Sequence, residues 1–174
     1  MNKGLEVIEA HWLFGLPLDR IEVVIHRESI VHSFVEFVDG VFLAQMGAPD
    51  MRLPILYALT EGTHVECDAA PWSPISAPAL HFEAPDARRY PCLELAREAA
   101  RTGGSAPIVL NAANEEAVAA LLDSRLRFLG IPRVIEEALS GTNLEAASSV
   151  EEALEIDRHT RIRVRETILT QSAS

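Results

Sequence analysis

The chain has 174 residues, of which 48% are hydrophobic and 24% charged, and this composition is typical of a globular protein with one domain or two small ones. Its 26 acidic residues against 15 basic ones give a formal net charge of -11, which disfavours nucleic acid and an anionic membrane surface as partners. No stretch reaches the roughly 18 uncharged apolar residues that a membrane span needs, and Cys67 and Cys92 are too few to close a zinc site. We therefore expect a cytoplasmic protein with reduced thiols.

The first predicted element is an amphipathic helix. Its apolar residues recur at the three-and-four-residue spacing of a buried stripe, namely Leu5, Ile8, Trp12 and Leu13. Gly15 interrupts this pattern, so we expect the helix to end there.

Three polar side chains, Asn2, Lys3 and Glu6, lie within one turn of this helix and span roughly a quarter of its circumference. A lysine suits an oxyanion or phosphate, an asparagine both donates and accepts hydrogen bonds, and a glutamate offers a hard oxygen to Mg²⁺ or Mn²⁺. The same spacing also fits a solvated turn with a Lys/Glu pair, and a single carboxylate does not hold such a cation alone. Spacing therefore leaves both interpretations open.

A small antiparallel sheet is predicted next. The β-branched and aromatic residues alternate with polar ones, and Asp39-Gly40 predicts a two-residue hairpin turn. Two prolines then define a loop, and a short helix follows it. The predicted strands are 21–25, 30–38 and 41–46, the loop is 47–54, and the short helix passes through Ile55, Leu56 and Leu59.

Residues 61–84 are rich in proline and small side chains without a clear period, which indicates a connector. Beyond Pro85 the pattern is helical. Ser149 and Glu152 form a capping-box motif, and Ser140-Gly141 is typical of a helix end. The predicted helices are 93–104, 111–122, 132–141 and 150–169. We expect an α+β fold, a small antiparallel sheet with flanking helices followed by a C-terminal helical bundle.

His26 and His32 would share one face of a regular strand, where two imidazoles could bind a metal or transfer a proton. Histidines at such positions are more often hydrogen-bonded structural residues. The sequence has no G-x-G-x-x-G motif after a strand and no P-loop, so it carries no dinucleotide-binding fold of its own. It also lacks a nucleophile elbow and the Cys/His pair of a thiol enzyme.

Five blocks of sequence follow one another along nearly the whole chain. They are NKGLEVIEAHWLF, IHRESIVHSFVEFVDG, LAQMGAPDMRLPILYAL, APDARRYPCLELAREAARTGG and APIVLNAANEEAVAALL. In this order they resemble 1-deoxy-D-xylulose 5-phosphate reductoisomerase, an NADPH-dependent enzyme family of non-mevalonate isoprenoid biosynthesis. The resemblance implies part of a catalytic domain at 1–60, a connector at 61–84 and a C-terminal helical domain at 85–174. It also implies that the amino-terminal domain that binds NADPH and two further acidic metal ligands are absent from this chain.

The resemblance assigns roles to individual residues. It implies that Asn2 and Lys3 bind the ketose phosphate substrate, that Glu6 ligates Mn²⁺ or Mg²⁺, and that Lys3 and Glu6 are catalytic. Met51 and His32 match positions at the substrate, where Met51 packs against it and His32 has a supporting role. The implied reaction converts 1-deoxy-D-xylulose 5-phosphate to 2-C-methyl-D-erythritol 4-phosphate. The family also implies a homodimer formed through the antiparallel sheet.

The chain departs from the family at two places. It has Arg27-Glu28 where the family usually has Pro-Gln, and Leu53 where the family usually has Thr. Two hypotheses of another class stay open: a non-catalytic dimerisation or assembly module derived from the enzyme, and a stand-alone binder of a divalent metal or phosphate. We expect the isolated chain to be inactive, because one metal ligand without a nucleotide site does not assemble a complete active site.

Overall fold

The computed structural model describes residues 1–69, 71–75 and 77–172. The predicted fold class is confirmed, since the described residues form a two-stranded antiparallel sheet and six α-helices, the last four of which follow one another from residue 91. The elements are α1 (Asn2–Phe14), a 3₁₀-helix (Leu18–Arg20), β1 (Val31–Glu36), β2 (Phe42–Met46), α2 (Arg52–Leu59), α3 (Pro91–Thr102), α4 (Ala106–Leu122), α5 (Gly130–Ser140) and α6 (Val150–Ser172).

The chain divides into two units. The first combines Met1–Val23 with Pro85–Ser174, and the second is Val24–Ala84. The division into domains at 1–60, 61–84 and 85–174 stays a prediction. No helix of the described residues is both long and apolar enough to cross a membrane.

Helix α4 forms the centre of the first unit. It is apolar around most of its circumference, which is the pattern of a helix surrounded by others, and α5 and α6 pack against it. The helix begins five residues before the predicted start at Asn111, because Pro107 lies in its first turn, where a proline needs no backbone partner. Its buried residues are Ala106, Val109, Leu110, Ala112, Ala113, Asn114, Ala117 and Ala120.

The predicted helix ends of α5 and α6 are largely confirmed. Helix α5 ends at Ser140 with Gly141 as its C-cap. At α6 the backbone N–H of Glu152 donates to Ser149 Oγ at 3.1 Å, as a capping box requires. The Glu152 carboxylate, however, accepts from the Ser148 N–H at 2.7 Å and from its hydroxyl at 2.6 Å. In a capping box this carboxylate would accept from the N–H of Ser149. Here it accepts from Ser148 instead, so only one half of the predicted motif forms.

Helix α1 buries a different face from the predicted one. Gly4, Val7 and Ile8 are buried, whereas Trp12 and Leu13 are 75% and 77% exposed. The predicted stripe is therefore wrong in its second half. The buried residues all lie in the first two turns of α1, which packs on α3 and on the 3₁₀-helix Leu18–Arg20.

The first of the three predicted strands, 21–25, is also wrong. Only Ile25 pairs, in an isolated bridge with Glu83 whose two N–O distances are 2.8 and 3.0 Å. The ladder does not extend toward Val23 because its antiparallel partner would be Pro85, which has no N–H to donate. It does not extend in the other direction because the chain turns at once, with the N–H of Ser29 donating to the carbonyl of His26.

Strands β1 and β2 pair from Val31 with Met46 to Glu36 with Phe42. The predicted two-residue turn is instead a three-residue loop, residues 38–40, in which the Gly40 N–H donates to the Phe37 carbonyl at 2.9 Å. Gly40 has a φ of 81°, which glycine adopts without steric cost. The one-residue difference arises because Val38 belongs to the turn and not to the strand.

The hairpin of β1 and β2 is apolar on both faces and exposed on both. Val35 is 56% exposed, and its neighbours on the partner strand, Phe42 and Leu43, are 57% and 61% exposed. A two-stranded hairpin is marginally stable by itself, and exposed apolar faces of this kind mark interaction surfaces. The hairpin therefore presents a surface suited to another protein segment.

Candidate functional site

The first turn of α1 carries the cluster predicted from the sequence. Met1 is the N-cap and provides no side-chain cap, so the turn is held by backbone hydrogen bonds from Gly4 and Leu5 to the Met1 carbonyl at 2.6 and 3.1 Å. The burial of Gly4 against α3 fixes the same turn from the other side. The polar side chains are thus presented by a turn that is anchored by packing.

The structure brings Lys3 and Glu6 together. Lys3 Nζ lies 2.6 Å from Glu6 Oε2, and the two side chains are 63% and 50% exposed. Asn2 is exposed on the same turn. An exposed ion pair contributes little to stability. A role in stabilising the fold therefore does not account for the Lys3–Glu6 pair. Its carboxylate, ammonium and neighbouring amide all stand in reach of a ligand.

Glu6 fits a divalent cation as one ligand of several. Mg²⁺ takes about six oxygen ligands and often obtains some from water or a phosphate-bearing substrate. Within residues 1–69, 71–75 and 77–172, no group of three or more His, Cys, Asp or Glu side chains is arranged to hold a metal. A cation at Glu6 would therefore need most of its ligands from a substrate, from water or from another protein segment.

His32 and Met51 flank one loop of the second unit. His32, on β1, has Nε2 at 3.2 Å from the carbonyl oxygen of Gly47, where the loop begins. Met51, at the end of the loop, is the N-cap of α2 and is 70% exposed. Asp50 and Arg52 brace this end, because Arg52 Nε lies 3.0 Å from both oxygens of Asp50. His32 therefore holds the loop, and Met51 is the apolar side chain that the loop exposes.

The prediction that His26 and His32 share a strand face is wrong, because His26 lies in the turn before β1. Its Nε2 accepts the N–H of Ile30 at 3.1 Å, and its Nδ1 lies 2.9 Å from the carbonyl oxygen of His81. The His26 side chain is 5% exposed. Both ring nitrogens are occupied by local partners, so His26 is a structural residue and not a metal ligand.

Sequence reasoning missed a cluster around Glu28. Its Oε1 lies 2.6 Å from His81 Nδ1 and its Oε2 lies 3.0 Å from His26 Nδ1. The ring of Phe82 stacks on His26 with ring centroids 4.6 Å apart. No spacing signal could have revealed this cluster, because His81 is 53 residues from Glu28. The cluster attaches the end of the predicted connector to the turn before β1.

The Glu28 cluster predicts that the stability of the protein depends on pH. The hydrogen bond from His81, assisted by backbone hydrogen bonds, lowers the pKa of Glu28 to about 2 from its ordinary 4.5. Because this pKa is lower in the folded than in the unfolded state, the stabilisation is complete above pH 4.5 and is lost as the pH falls toward 2. In Glu28→Gln we expect the acid-induced loss of stability in this window to become smaller, as followed by thermal unfolding at a series of pH values. Glu36→Gln, an exposed glutamate of β1, is the control, and equal effects of the two substitutions would contradict the prediction.

Both cysteines are partly buried. Cys67 and Cys92 are free thiols, and partial burial raises the pKa of Cys92, which lowers the reactivity of its thiol. Neither belongs to the candidate site.

Comparison with known proteins yields a family match over more than half of the chain. The family model described as the DXP reductoisomerase C-terminal domain matches residues 46–163. The chain belongs to this family. The recognition made from the five sequence blocks is therefore confirmed, and the matched range includes Met51 but not Asn2, Lys3, Glu6 or His32.

Individual relatives extend the likeness to nearly the whole chain. A 1-deoxy-D-xylulose 5-phosphate reductoisomerase of Geobacillus kaustophilus is 56% identical over 166 residues, which are 95% of this chain and 44% of the relative. The solved structure of the reductoisomerase from Zymomonas mobilis in complex with NADPH has a TM-score of 0.90 at 43% identity, covering 96% of this chain and 44% of that one. A solved DOX-P reductoisomerase in complex with NADPH, fosmidomycin and magnesium has a TM-score of 0.90 at 40% identity, covering 96% and 43%.

The chain spans 40% to 44% of the length of the curated relatives that it matches. It is similar to the C-terminal portion of the reductoisomerase. What the complete relatives bind is therefore a property of those proteins, and its transfer to this chain is a proposal.

Proposed function

We propose that this chain supplies the C-terminal portion of an NADPH-dependent 1-deoxy-D-xylulose 5-phosphate reductoisomerase, which isomerises and reduces its substrate to 2-C-methyl-D-erythritol 4-phosphate. The observation that supports this most is the exposed Lys3–Glu6 pair on an anchored helical turn, in a chain that belongs to this family. One related solved structure is a complex with NADPH, fosmidomycin and magnesium. Together these features favour a metal-dependent site for a small phosphorylated sugar.

In this proposal each residue of the turn has one task. Glu6 provides an anionic oxygen to Mg²⁺ or Mn²⁺, and Lys3 directs its ammonium group toward the hydroxyl and phosphate region of the substrate. Asn2 adds a hydrogen bond that orients the substrate. The cation, when bound, polarises the substrate carbonyl, and NADPH, bound by an amino-terminal domain, supplies the hydride. Lys3 and Glu6 are thus the catalytic residues proposed in this chain.

His32 and Met51 have separate proposed tasks in substrate binding. The hydrogen bond of His32 to Gly47 holds the loop that ends at Met51. Met51 exposes a flexible apolar side chain, which adapts to the shape of a ligand. We assign His32 a supporting role and Met51 a packing role, in line with the roles that the family resemblance implies.

An assay of the chain with and without an amino-terminal partner tests this proposal. We expect no oxidation of NADPH by the isolated chain with 1-deoxy-D-xylulose 5-phosphate and Mn²⁺, because it offers one metal ligand and no nucleotide site. Addition of the separately expressed amino-terminal portion of the Geobacillus relative should restore turnover, followed as loss of NADPH absorbance. The amino-terminal portion alone is the control. Turnover by the isolated chain would contradict the expected inactivity.

A second candidate function, a non-catalytic assembly module, is favoured by the exposed hairpin. If the mixture forms a stable complex that shows no turnover, the module becomes the better account. A stand-alone metal or phosphate binder has less support, because Glu6 belongs to no group of three or more possible metal ligands among the described residues. Calorimetric binding of Mn²⁺ by the isolated chain, lost in Glu6→Gln, would favour that third account.

We also propose that the chain forms a homodimer through the β1–β2 hairpin and acts in the cytoplasm, without nucleic acid or membrane partners. The exposed apolar faces of the hairpin support the dimer. Leu43→Lys should abolish concentration-dependent dimerisation in sedimentation experiments, because it places a charge in the interface. Leu169→Lys is the matched control, since both leucines are 61% exposed but Leu169 lies on α6. A dimer that survives Leu43→Lys and dissociates in Leu169→Lys would exclude the sheet as its interface.

A further inference from the structure

We propose that Gly4 is a positioning residue, which fixes the location of Lys3 and Glu6 by letting α1 approach α3 at Ala96. The inference rests on the proposed function, because it concerns the residues that would bind metal and substrate. Gly4 itself touches neither the substrate nor the metal in this account.

The contact between Gly4 and α3 leaves no room for a side chain. A Cβ atom placed on Gly4 would overlap the Cβ of Ala96 and would lie 3.4 Å from the carbonyl oxygen of Cys92. Cys92 and Ala96 are one helical turn apart on α3, and Ala96 is fully buried. The first turn of α1 therefore rests directly on the backbone of α3.

The backbone conformation of Gly4 does not require glycine. Gly4 lies within α1 and not at a turn with positive φ. Glycine lowers helix propensity relative to alanine, so it weakens the very turn that carries Lys3 and Glu6. Neither backbone conformation nor helix propensity therefore explains a glycine at position 4. The close approach to Ala96 does explain it.

The position of the turn determines where the functional groups stand. Lys3 is adjacent to Gly4 and Glu6 is two residues beyond it, on the exposed side of the same turn. Carbon atoms in contact prefer a separation of about 3.5 to 4.0 Å, so a methyl group on Gly4 must move the turn of α1 and α3 apart by about 1 Å. A displacement of about 1 Å in a catalytic site can reduce rates about 100-fold.

Four variants separate positioning from general stability. Gly4→Ala introduces the overlap, and Gly4→Ala with Ala96→Gly removes it again from the opposite helix. Gly4→Ala with Ala99→Gly is the matched control, because Ala99 is also a buried alanine of α3 but is not among the atoms nearest to Gly4. Ala96→Gly alone measures the effect of the lost methyl group on α3.

The first measurement is Mn²⁺ affinity, by paramagnetic resonance titration of the chain combined with the amino-terminal portion of the Geobacillus relative. We expect Gly4→Ala to weaken Mn²⁺ binding about 10- to 100-fold, as loss of a residue that positions a metal ligand typically does. The Ala96→Gly double variant should recover affinity to within about 3-fold of the parent, and the Ala99→Gly double variant should not. Equal recovery by both double variants, or unchanged affinity in folded Gly4→Ala, would overturn the inference.

The same titration on Glu6→Gln distinguishes failure of the inference from failure of the proposed function. Unchanged Mn²⁺ affinity in Glu6→Gln would overturn the proposed function itself. Affinity that depends on Glu6 but tolerates Gly4→Ala would overturn only the role of Gly4.

A second measurement does not depend on metal or on the partner. The amides of residues 4 and 5 donate to the Met1 carbonyl, and their protection from hydrogen exchange in the 174-residue chain should fall in Gly4→Ala and return to the parent value only when Ala96→Gly is added. If Gly4→Ala leaves this exchange unchanged, the contact with α3 does not hold the turn, and the inference is wrong.

Discussion

Replacing Leu110 by alanine should lower the free energy of unfolding by about 2 to 5 kcal/mol, because the substitution opens a cavity in a packed core. Leu110 is fully buried in the first half of α4, among small residues, and α5 and α6 pack against this helix. Neighbouring helices relax only partly into such a space, so the loss exceeds the transfer free energy of the deleted methyl groups. Urea unfolding followed by circular dichroism measures the effect.

The same helix offers a matched control for this prediction. Leu122, the last residue of α4, is 79% exposed. Leu122→Ala makes the same chemical change without a cavity and should alter stability by less than about 0.5 kcal/mol. Both variants should be compared at one protein concentration, because self-association of the chain would add to apparent stability. Similar losses in the two variants would mean that α4 is not the centre of the core.

Replacing Glu6 by glutamine should reduce kcat/KM of the reconstituted reductoisomerase by at least about 100-fold, since loss even of an indirect metal partner reduces affinity or activity about 10- to 100-fold. Glutamine keeps the shape of the side chain and removes its charge. In the proposed site the cation would then lose an anionic ligand, and Lys3 loses the carboxylate that lies 2.6 Å from its ammonium group. Initial rates at saturating Mn²⁺ separate weaker metal binding from a slower reaction.

A second exposed ion pair of the first unit provides the control for Glu6→Gln. Glu98 and Arg101 on α3 have the same three-residue spacing, and the Glu98 side chain is 70% exposed. Glu98→Gln should leave kcat/KM within about 2-fold of the parent, because exposed pairs of this kind contribute little. If the two substitutions reduce the rate equally, the Lys3–Glu6 pair is an ordinary surface pair and the proposed site is wrong.

The sequence predicted local features well. The end of α5 at Gly141, the start of α6 near Ser149 and the position of the hairpin follow from residues within four or five positions of one another. Capping and turn formation are short-range interactions, so their patterns are visible in a single sequence. These features are therefore where the predictions and the structure agree.

The errors have a common physical cause. The 21–25 segment fails to form a strand because it pairs only at Ile25 with Glu83, and the next pairing position, Pro85, has no N–H to donate. The burial of α1 depends on α3, and the role of His26 depends on His81. Each of these partners is more than 50 residues away in the sequence, and periodicity carries no information about such contacts.

The candidate site was predictable in part. Helical spacing placed Lys3 and Glu6 on one turn, and the structure shows them in contact. Their functional roles came from the family resemblance and remain proposals, because an exposed ion pair by itself fits a surface turn equally well. Gly4 was not singled out by its residue type, since only the approach of Ala96 reveals its importance.

The division of the first unit into two sequence segments affects the order in which the protein folds during synthesis. Helix α1 ends at Phe14, but α3, on which it packs, is complete only at Thr102. At a translation rate of about 5 to 20 residues per second, the ribosome needs roughly 4 to 18 s to make the intervening chain. A helix of 13 residues is marginal without a partner. The turn that carries Lys3 and Glu6 is therefore translated seconds before α3, the helix against which it packs.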